Sequence, residues 1–321
     1  DRAGAPLPNV RVSIHGHPEL GFTYSKEDGS FLFAVNAGGH LVVRFEHPDH
    51  LRAERELVTT WNRFHALDPV VLVERRAPAG VVDLSASSDF TVVTGPEERD
   101  ADGARRATLA FRPGTTASAV TATGQRVPLR TLTLRLTEYT VGANGVLAMP
   151  ASLPATIGYT YALEISADEA EAMGAEAIEL SQPVPLYVDN FLGFPTGTIV
   201  PVGSYDWAAS EWRAEPDGRV IEVVAIEAGE ARLDVDGDGA ADGAEALDAL
   251  GIGADELRTL GNRFAPGASF WRAELEHFST WDCNWPFGPP DDARYPPDEG
   301  PNPGDLDPDE EPCERSGSII E

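Results

Sequence analysis

The most informative stretch of the sequence is Asp234-Val-Asp-Gly-Asp-Gly-Ala-Ala-Asp-Gly-Ala-Glu245. Its acidic residues match positions 1, 3, 5, 9 and 12 of an EF-hand-type calcium loop, and a glycine stands at position 6. Because Ca²⁺ takes about 6–8 oxygen ligands, the chain must turn around the ion and offer a carboxylate at every second residue. A solvated acidic turn is the alternative, since aspartate and glycine are ordinary loop residues. The full match favours a calcium site with these ligands: Asp234, Asp236, Asp238, the backbone carbonyl of Ala240, Asp242 and Glu245.

The residues on either side of this loop predict a structural site and not a sensor. Residues 219–226 are rich in β-branched side chains and predict a strand, whereas residues 244–250 predict a short helix that ends at Gly251. A calcium sensor of this type has a helix on both sides of its loop and opens when the ion binds. We therefore expect calcium to be a structural cofactor that holds a strand–loop–helix hairpin together.

The charge of the chain limits its partners. The sequence has 321 residues and a net charge of −29, from 53 acidic and 24 basic residues. Phosphate contacts require clustered Lys and Arg, so we expect neither nucleic acid nor an anionic membrane surface as a partner. We also expect no membrane insertion, because no apolar run approaches the ~18 residues that a span needs. The abrupt opening Asp1-Arg-Ala-Gly4 is typical of a piece of a larger protein.

The hydrophobic pattern predicts a mainly β chain. Apolar and polar residues alternate in short stretches, as at residues 131–136, and turn residues separate these stretches. In the first segment we predict strands at residues 10–14, 31–35, 41–45 and 70–73. Proline and acidic residues dominate the C-terminal end, a composition that does not form a packed core. The predicted organisation is two β-sandwich domains (1–75 and 76–232), a hairpin with the calcium loop, short helices and an aromatic segment (233–288), and an extended Pro/Asp-rich linker (289–321).

Two motifs of the first segment precede its alternating strand at residues 41–45, namely Gly4-Ala-Pro-Leu-Pro-Asn-Val10 and Glu27-Asp-Gly-Ser-Phe31. Together they resemble the carboxypeptidase-regulatory-like (transthyretin-like) modules. The resemblance implies a β-sandwich without catalytic function, in which the Asp-Gly-x-Phe turn starts the second hairpin.

Further motifs follow in a fixed order: Leu136-Thr-Glu-Tyr-Thr-Val141, Ala148-Met-Pro-Ala151, Tyr161-Ala-Leu-Glu-Ile165, Tyr187-Val-Asp-Asn-Phe-Leu192, Val200-Pro-Val-Gly203, Ser269-Phe-Trp-Arg272 and His277-Phe-Ser-Thr-Trp-Asp-Cys-Asn-Trp-Pro-Phe-Gly288. Together they resemble the N-terminal region of large bacterial Rhs/YD-repeat proteins, relatives of the teneurins and of polymorphic toxins. The resemblance implies a secreted or cell-surface accessory region that plugs, caps or presents a downstream YD-repeat shell of the same polypeptide. The tail Gly317-Ser-Ile-Ile-Glu321 resembles the first strand of that shell.

The sequence contains no familiar catalytic motif: it lacks a Gly-x-Ser-x-Gly elbow, a His-Glu-x-x-His helix and a P-loop. We therefore predict that the chain is not an enzyme. The alternative to an accessory region is a module that binds carbohydrate or a cell-surface partner. Trp271, Trp281 and Trp285 are the candidate aromatic contacts, but we favour their burial, because a small helical hairpin has little core of its own.

The two cysteines, Cys283 and Cys313, are candidates for a disulfide. The bridge would close a loop of about 30 residues and stabilise the fold by about 3–4 kcal/mol. Two free thiols are the alternative. We favour the bridge, because the Pro-rich segment between the cysteines has little else to hold it.

We predict that intact-mass analysis after alkylation under non-reducing conditions finds neither cysteine modified, because both sulfurs are held in the bridge. Two modified cysteines would show that there is no disulfide.

Overall fold

Antiparallel strands dominate the computed structural model, which describes residues 1–36, 38–85, 89–121, 123–153 and 157–285. The described strands form a four-stranded sheet, a nine-stranded sheet, a six-stranded sheet and a two-stranded hairpin. The mainly β class predicted from the alternating pattern is therefore confirmed. The predicted linker, residues 289–321, lies outside the described residues.

The first module is built on one antiparallel sheet. Its strands are β1 (Arg11–Ile14), β2 (Phe22–Tyr24), β3 (Gly39–Glu46) and β4 (Ala53–Thr59). Their spatial order is β2-β1-β3-β4. A short 3-10 helix, Pro18–Leu20, joins β1 to β2. Alternate residues of β3 are buried, including Val43 and Phe45, because successive side chains of a strand point to opposite faces, and Val12 of β1 is buried beside them. This apolar face is the core of the module.

Two predicted strands of this module, residues 31–35 and 70–73, are not strands in the structure. Phe31 and Phe33 do pack against the apolar face of the sheet, as their alternation predicts, and Leu72 packs there as well. Neither segment pairs with a neighbouring strand among the described residues, so neither forms the hydrogen-bonded ladder of a β-sheet. Apolar side chains of both segments and of the sheet line a cavity of about 1230 Å³.

The second region is a sandwich of two sheets. The nine-stranded sheet contains β6 (Thr91–Thr94), β9 (Ala107–Phe111), β10 (Ala117–Thr121), β11 (Arg126–Leu129), β14 (Ala175–Asp189), β15 (Ile199–Val200), β18 (Gly218–Glu227), β19 (Glu230–Asp234) and β20 (Ser269–Phe278). The six-stranded sheet contains β5 (Gly80–Asp83), β12 (Thr131–Glu138), β13 (Ala162–Ala167), β16 (Gly203–Asp206), β17 (Glu211–Ala214) and β21 (Thr280–Asp282). Outside both sheets lie the hairpin of β7 (Glu98–Asp100) and β8 (Gly103–Arg105) and the short helices α1 (Gly145–Ala148) and α2 (Asp168–Ala172).

The main core lies between the two sheets of the sandwich. Leu134 of β12 and Trp281 of β21 come from the six-stranded sheet, and Leu186 of β14 and Trp271 of β20 come from the nine-stranded sheet. All four side chains are at most 2% exposed. Rings and branched chains of this size stabilise a fold mainly through the apolar area that they remove from water.

Two helices form a third layer on the outer face of the nine-stranded sheet. They are α3 (Ala244–Asp248) and α4 (Ala254–Arg263). Leu257 and Leu260 of α4 share an apolar cluster with Val223 of β18, Leu233 of β19 and Phe270 of β20. The short helices therefore share their core with the sheet.

The predicted segments 76–232 and 233–288 share both sheets. Strand β20 lies between β14 and β18, and β21 lies between β13 and β16. The predicted boundary at residue 232 falls inside β19. The domain bounds remain predictions. The structure adds that the described part of 233–288 completes the sandwich.

A buried ion network fixes α4 to the sheet. The guanidinium of Arg272 on β20 donates to both carboxylate oxygens of Glu256 on α4, at 2.7 and 3.1 Å. Arg112 donates to the same carboxylate at 3.3 Å, and the hydroxyl of Tyr187 also bonds to it. The side chains of Arg272 and Glu256 are only 3% and 2% exposed. Both charges are paired. An unpaired charge buried at this depth would lower the stability of the fold.

Candidate metal centre

The acidic loop connects the nine-stranded sheet to its helical layer. It begins at Asp234, the last residue of β19, and α3 follows it directly. Asp234 is only 2% exposed and pairs across the ladder with Glu222 of β18. The strand therefore holds the first acidic residue of the loop in a fixed position.

Backbone N–H groups wrap around the carboxylate of Asp234. Its Oδ1 accepts hydrogen bonds from Asp236 at 3.2 Å and from Gly237 at 2.7 Å, and its Oδ2 accepts one from Gly239 at 2.8 Å. The φ angles of Gly237 and Gly239 are +89° and +82°, a region that favours glycine. The two glycines thus allow the tight turn that directs the N–H groups inward.

A second carboxylate closes the loop. The backbone N–H of Asp242 donates to the carbonyl of Leu233 at 2.8 Å, and its Oδ2 accepts a hydrogen bond from Val235 at 2.7 Å. One carboxylate oxygen from each of Asp234, Asp236 and Asp242 lies within 4.8 Å of the other two. In the described part of the chain, no basic side chain forms an ion pair with these three residues. Their charges therefore repel one another unless a cation lies among them.

The structure brings together only part of the predicted ligand set. Asp238 and Glu245 are not members of the cluster. Asp238 is exposed and accepts a hydrogen bond from the N–H of Ala240 at 2.7 Å, so this bond holds its carboxylate within its own turn. Glu245 is exposed in the first turn of α3.

Two residues that the sequence does not single out pack tightly against the loop. A Cβ atom on Gly197 would lie 2.3 Å from the carbonyl oxygen of Asp236, and a Cβ atom on Gly237 would lie 2.4 Å from that of Thr196. The hydroxyl of Thr196 also donates to Glu222 at 3.2 Å. No local pattern predicts this contact, because the two segments are far apart in the sequence.

The candidate aromatic contacts are mostly buried. Trp271 and Trp281 are 1% and 2% exposed, so their faces are not available to a ligand. The indole N–H of Trp271 donates to Asn190 at 2.8 Å. Trp285 is half-buried, packs on the ring of Phe194 at 4.4 Å between centroids and donates to the carbonyl of Ile199 at 3.1 Å. These rings belong to the core and its rim.

Cys283 is buried and forms no disulfide within the part of the chain that the structure describes. Burial raises its pKa, so it holds its proton at neutral pH. Cys313, its predicted partner, lies outside the described residues. The disulfide therefore remains a prediction, and alkylation of Cys283 requires a denaturant.

These features define a mainly β chain in which a small module precedes a sandwich with an acidic loop. Residues 1–72 match the family model of the teneurin TTR-like domain. The chain is 33% identical to teneurin-4 of Mus musculus over 93 residues, which are 29% of this chain and 3% of that protein. It is 35% identical to teneurin-1 of Gallus gallus over 85 residues, which are 26% of this chain and 3% of that protein.

The chain thus spans about 3% of the length of these curated relatives. No solved structure matches it. Within the described ranges, none of the helices has both the length and the apolar character that a membrane span requires.

We predict that Gly197→Ala destabilises the chain by at least about 1 kcal/mol more than Gly229→Ala, because only the first methyl group collides with the loop. The two glycines have φ angles of +83° and +84°, and a Cβ atom on Gly229 would meet nothing within 4 Å. The second variant therefore measures backbone strain alone. Urea unfolding of both variants checks this, and equal losses of stability would contradict the tight contact.

Proposed function

We propose that this chain is a non-catalytic, calcium-stabilised accessory region of a large secreted protein of the Rhs/YD-repeat type. In that protein it would plug, cap or present a downstream β-shell of the same polypeptide. The match of residues 1–72 to the teneurin TTR-like domain supports the teneurin-like context. The observation that carries the calcium part is the convergence of three carboxylates between β19 and α3.

The residues of the loop fit a hard divalent cation. Carboxylate oxygens are the ligands that Ca²⁺ prefers, and Asp234, Asp236 and Asp242 would hold the ion. The backbone N–H groups that bind Asp234 and Asp242 already orient their carboxylates, so less ordering is required when the ion binds. The ion would neutralise the charge at the point where the helical layer leaves the sheet. Its role would be to stabilise the fold.

The environment of Cys283 supports a role without catalysis. His277 and Cys283 are close in sequence and suggest a nucleophile and its base. However, Cys283 is 3% exposed and burial raises its pKa, whereas a nucleophilic cysteine needs access and a lowered pKa. The imidazole of His277 stacks on Trp281, with 4.7 Å between the ring centroids.

We predict that calcium raises the melting temperature of the chain, that EDTA reverses this, and that Asp236→Ala abolishes it. Binding to the folded state alone adds about 2.7 kcal/mol of stability when calcium is present at a hundredfold excess over its Kd. The matched control is Asp217→Ala, an exposed aspartate outside the loop, which should keep the calcium response. A melting temperature that neither EDTA nor Asp236→Ala changes would remove calcium from the proposal.

The accessory role makes a separate prediction about the partner. The isolated chain should bind the YD-repeat shell of its own polypeptide in a pull-down, and it should bind a shell from an unrelated protein much more weakly. Equal binding to both shells, or no binding to its own shell, would contradict the plug or cap role without affecting the calcium site.

A further inference from the structure

A second cavity, of about 290 Å³, lies where the first module meets the sandwich. The first module contributes His50 and Arg52, from the connection between β3 and β4. The sandwich contributes Tyr139, Glu164 and Trp207. The cavity is therefore built from segments that are far apart in the sequence and meet only in the folded chain.

Arg52 presents unused hydrogen-bond donors to this cavity. Its guanidinium lies over the ring of Trp207, 4.0 Å from the centroid. It forms no hydrogen bond and no ion pair with any other described residue, and its side chain lines the cavity. A guanidinium has five N–H donors and is costly to leave unsatisfied, so this side chain is suited to a ligand that accepts hydrogen bonds.

Glu164 presents an unused acceptor to the same cavity. Its Oε2 accepts a hydrogen bond from the hydroxyl of Tyr139 at 3.2 Å and another from the hydroxyl of Thr280. Its Oε1 has no hydrogen-bond partner among the described residues, and Glu164 lines the cavity. Burial raises the pKa of the Glu164 carboxyl, while the bond from Thr280 and the charge of Arg52 oppose this rise.

One side chain fixes both groups. Trp207 supports the guanidinium of Arg52 on its face, and its indole N–H donates to the hydroxyl of Thr280 at 3.2 Å. Thr280, which is fully buried, in turn holds Glu164. The donor and the acceptor are therefore oriented before any ligand arrives, which reduces the entropy cost of binding. Arg52 and Glu164 form no ion pair with each other, and both line the cavity.

The chemistry of the cavity selects the ligand. A hydroxyl group can accept from Arg52 and donate to Glu164 at the same time, and neighbouring hydroxyls can satisfy both side chains together. The charges of Arg52 and Glu164 compensate each other. The other charged groups of the lining are paired as well, Arg75 with Glu171 and Glu46 with Arg11, so the cavity favours a neutral ligand. Ser166 and Ser279 add polar contacts, and Phe278 offers an apolar one. The volume is near the lower limit of ligand pockets, about 300 Å³, and suits a single sugar ring.

We propose that this cavity binds a neutral monosaccharide unit through adjacent hydroxyl groups. The acidic loop does not line this cavity, so a test of sugar binding is independent of the proposed calcium site.

The test is saturation-transfer difference NMR on the full chain with glucose, galactose, mannose and N-acetylglucosamine. Glycine, followed in the same way, and inorganic phosphate, followed by the width of its ³¹P line, serve as charged comparison probes. We expect at least one sugar to bind with a Kd in the millimolar range, of order 1 mM. Arg52→Gln and Glu164→Gln should each weaken its binding by about tenfold or more, since each removes a hydrogen bond to a charged group. Arg99→Gln, an exposed arginine outside the cavity, should bind like the unchanged chain.

A third variant separates binding from folding. Ser166→Leu fills the cavity and keeps Arg52 and Glu164, so it should abolish sugar binding while the melting temperature changes little. Absence of binding by all four sugars would overturn the proposal, as would sugar binding that survives in both Arg52→Gln and Ser166→Leu. Binding of glycine or phosphate in this cavity without any sugar would overturn the assigned ligand class.

Discussion

Residues 270–273 of strand β20 are buried on both faces, and the other layers of the sandwich region depend on this constraint. Trp271 points into the sandwich core, while Phe270 points into the helical layer. A strand covered on two sides cannot carry an unpaired charge, so Arg272 requires the carboxylate of Glu256 on α4. The ion pair and the apolar contacts together hold the helices on the sheet, and the start of that helical layer sets where the acidic loop must end.

The acidic loop combines two opposing electrostatic effects. N–H groups of the turn stabilise the carboxylates of Asp234 and Asp242, and this same arrangement brings like charges to within 4.8 Å of one another. The local backbone thus provides a shape that a divalent cation would complete. Position is as important as composition here, because Asp238 and Glu245 carry the same charge and lie outside the cluster.

The two candidate sites have different chemistry and would serve different purposes. The loop offers only acidic oxygens, which suits a cation that stabilises the fold. The junction cavity offers the guanidinium of Arg52 and the carboxylate of Glu164, both held by neighbouring side chains, which suits a neutral ligand with hydroxyl groups. The similarity to the teneurin TTR-like domain ends at residue 72, so it includes Arg52 but neither Glu164 nor the loop. The fold alone does not define the function, because one fold hosts many functions, whereas the two sites differ in the ligands that they can bind.

The sequence by itself determined what depends on local spacing. Alternation predicted the β class and the inward positions of Phe31 and Phe33, and the Asp-Gly repeat predicted the turn of the acidic loop. Only the tertiary structure decided that residues 31–35 lack a strand partner, that β20 completes the sandwich, and that Gly197 touches the loop. The contact between Arg52 and Trp207 is of the same kind. Local periodicity specifies which face of a segment is buried. The pairing and packing partners of that segment depend on how distant parts of the chain come together, and neither segment's own sequence encodes this.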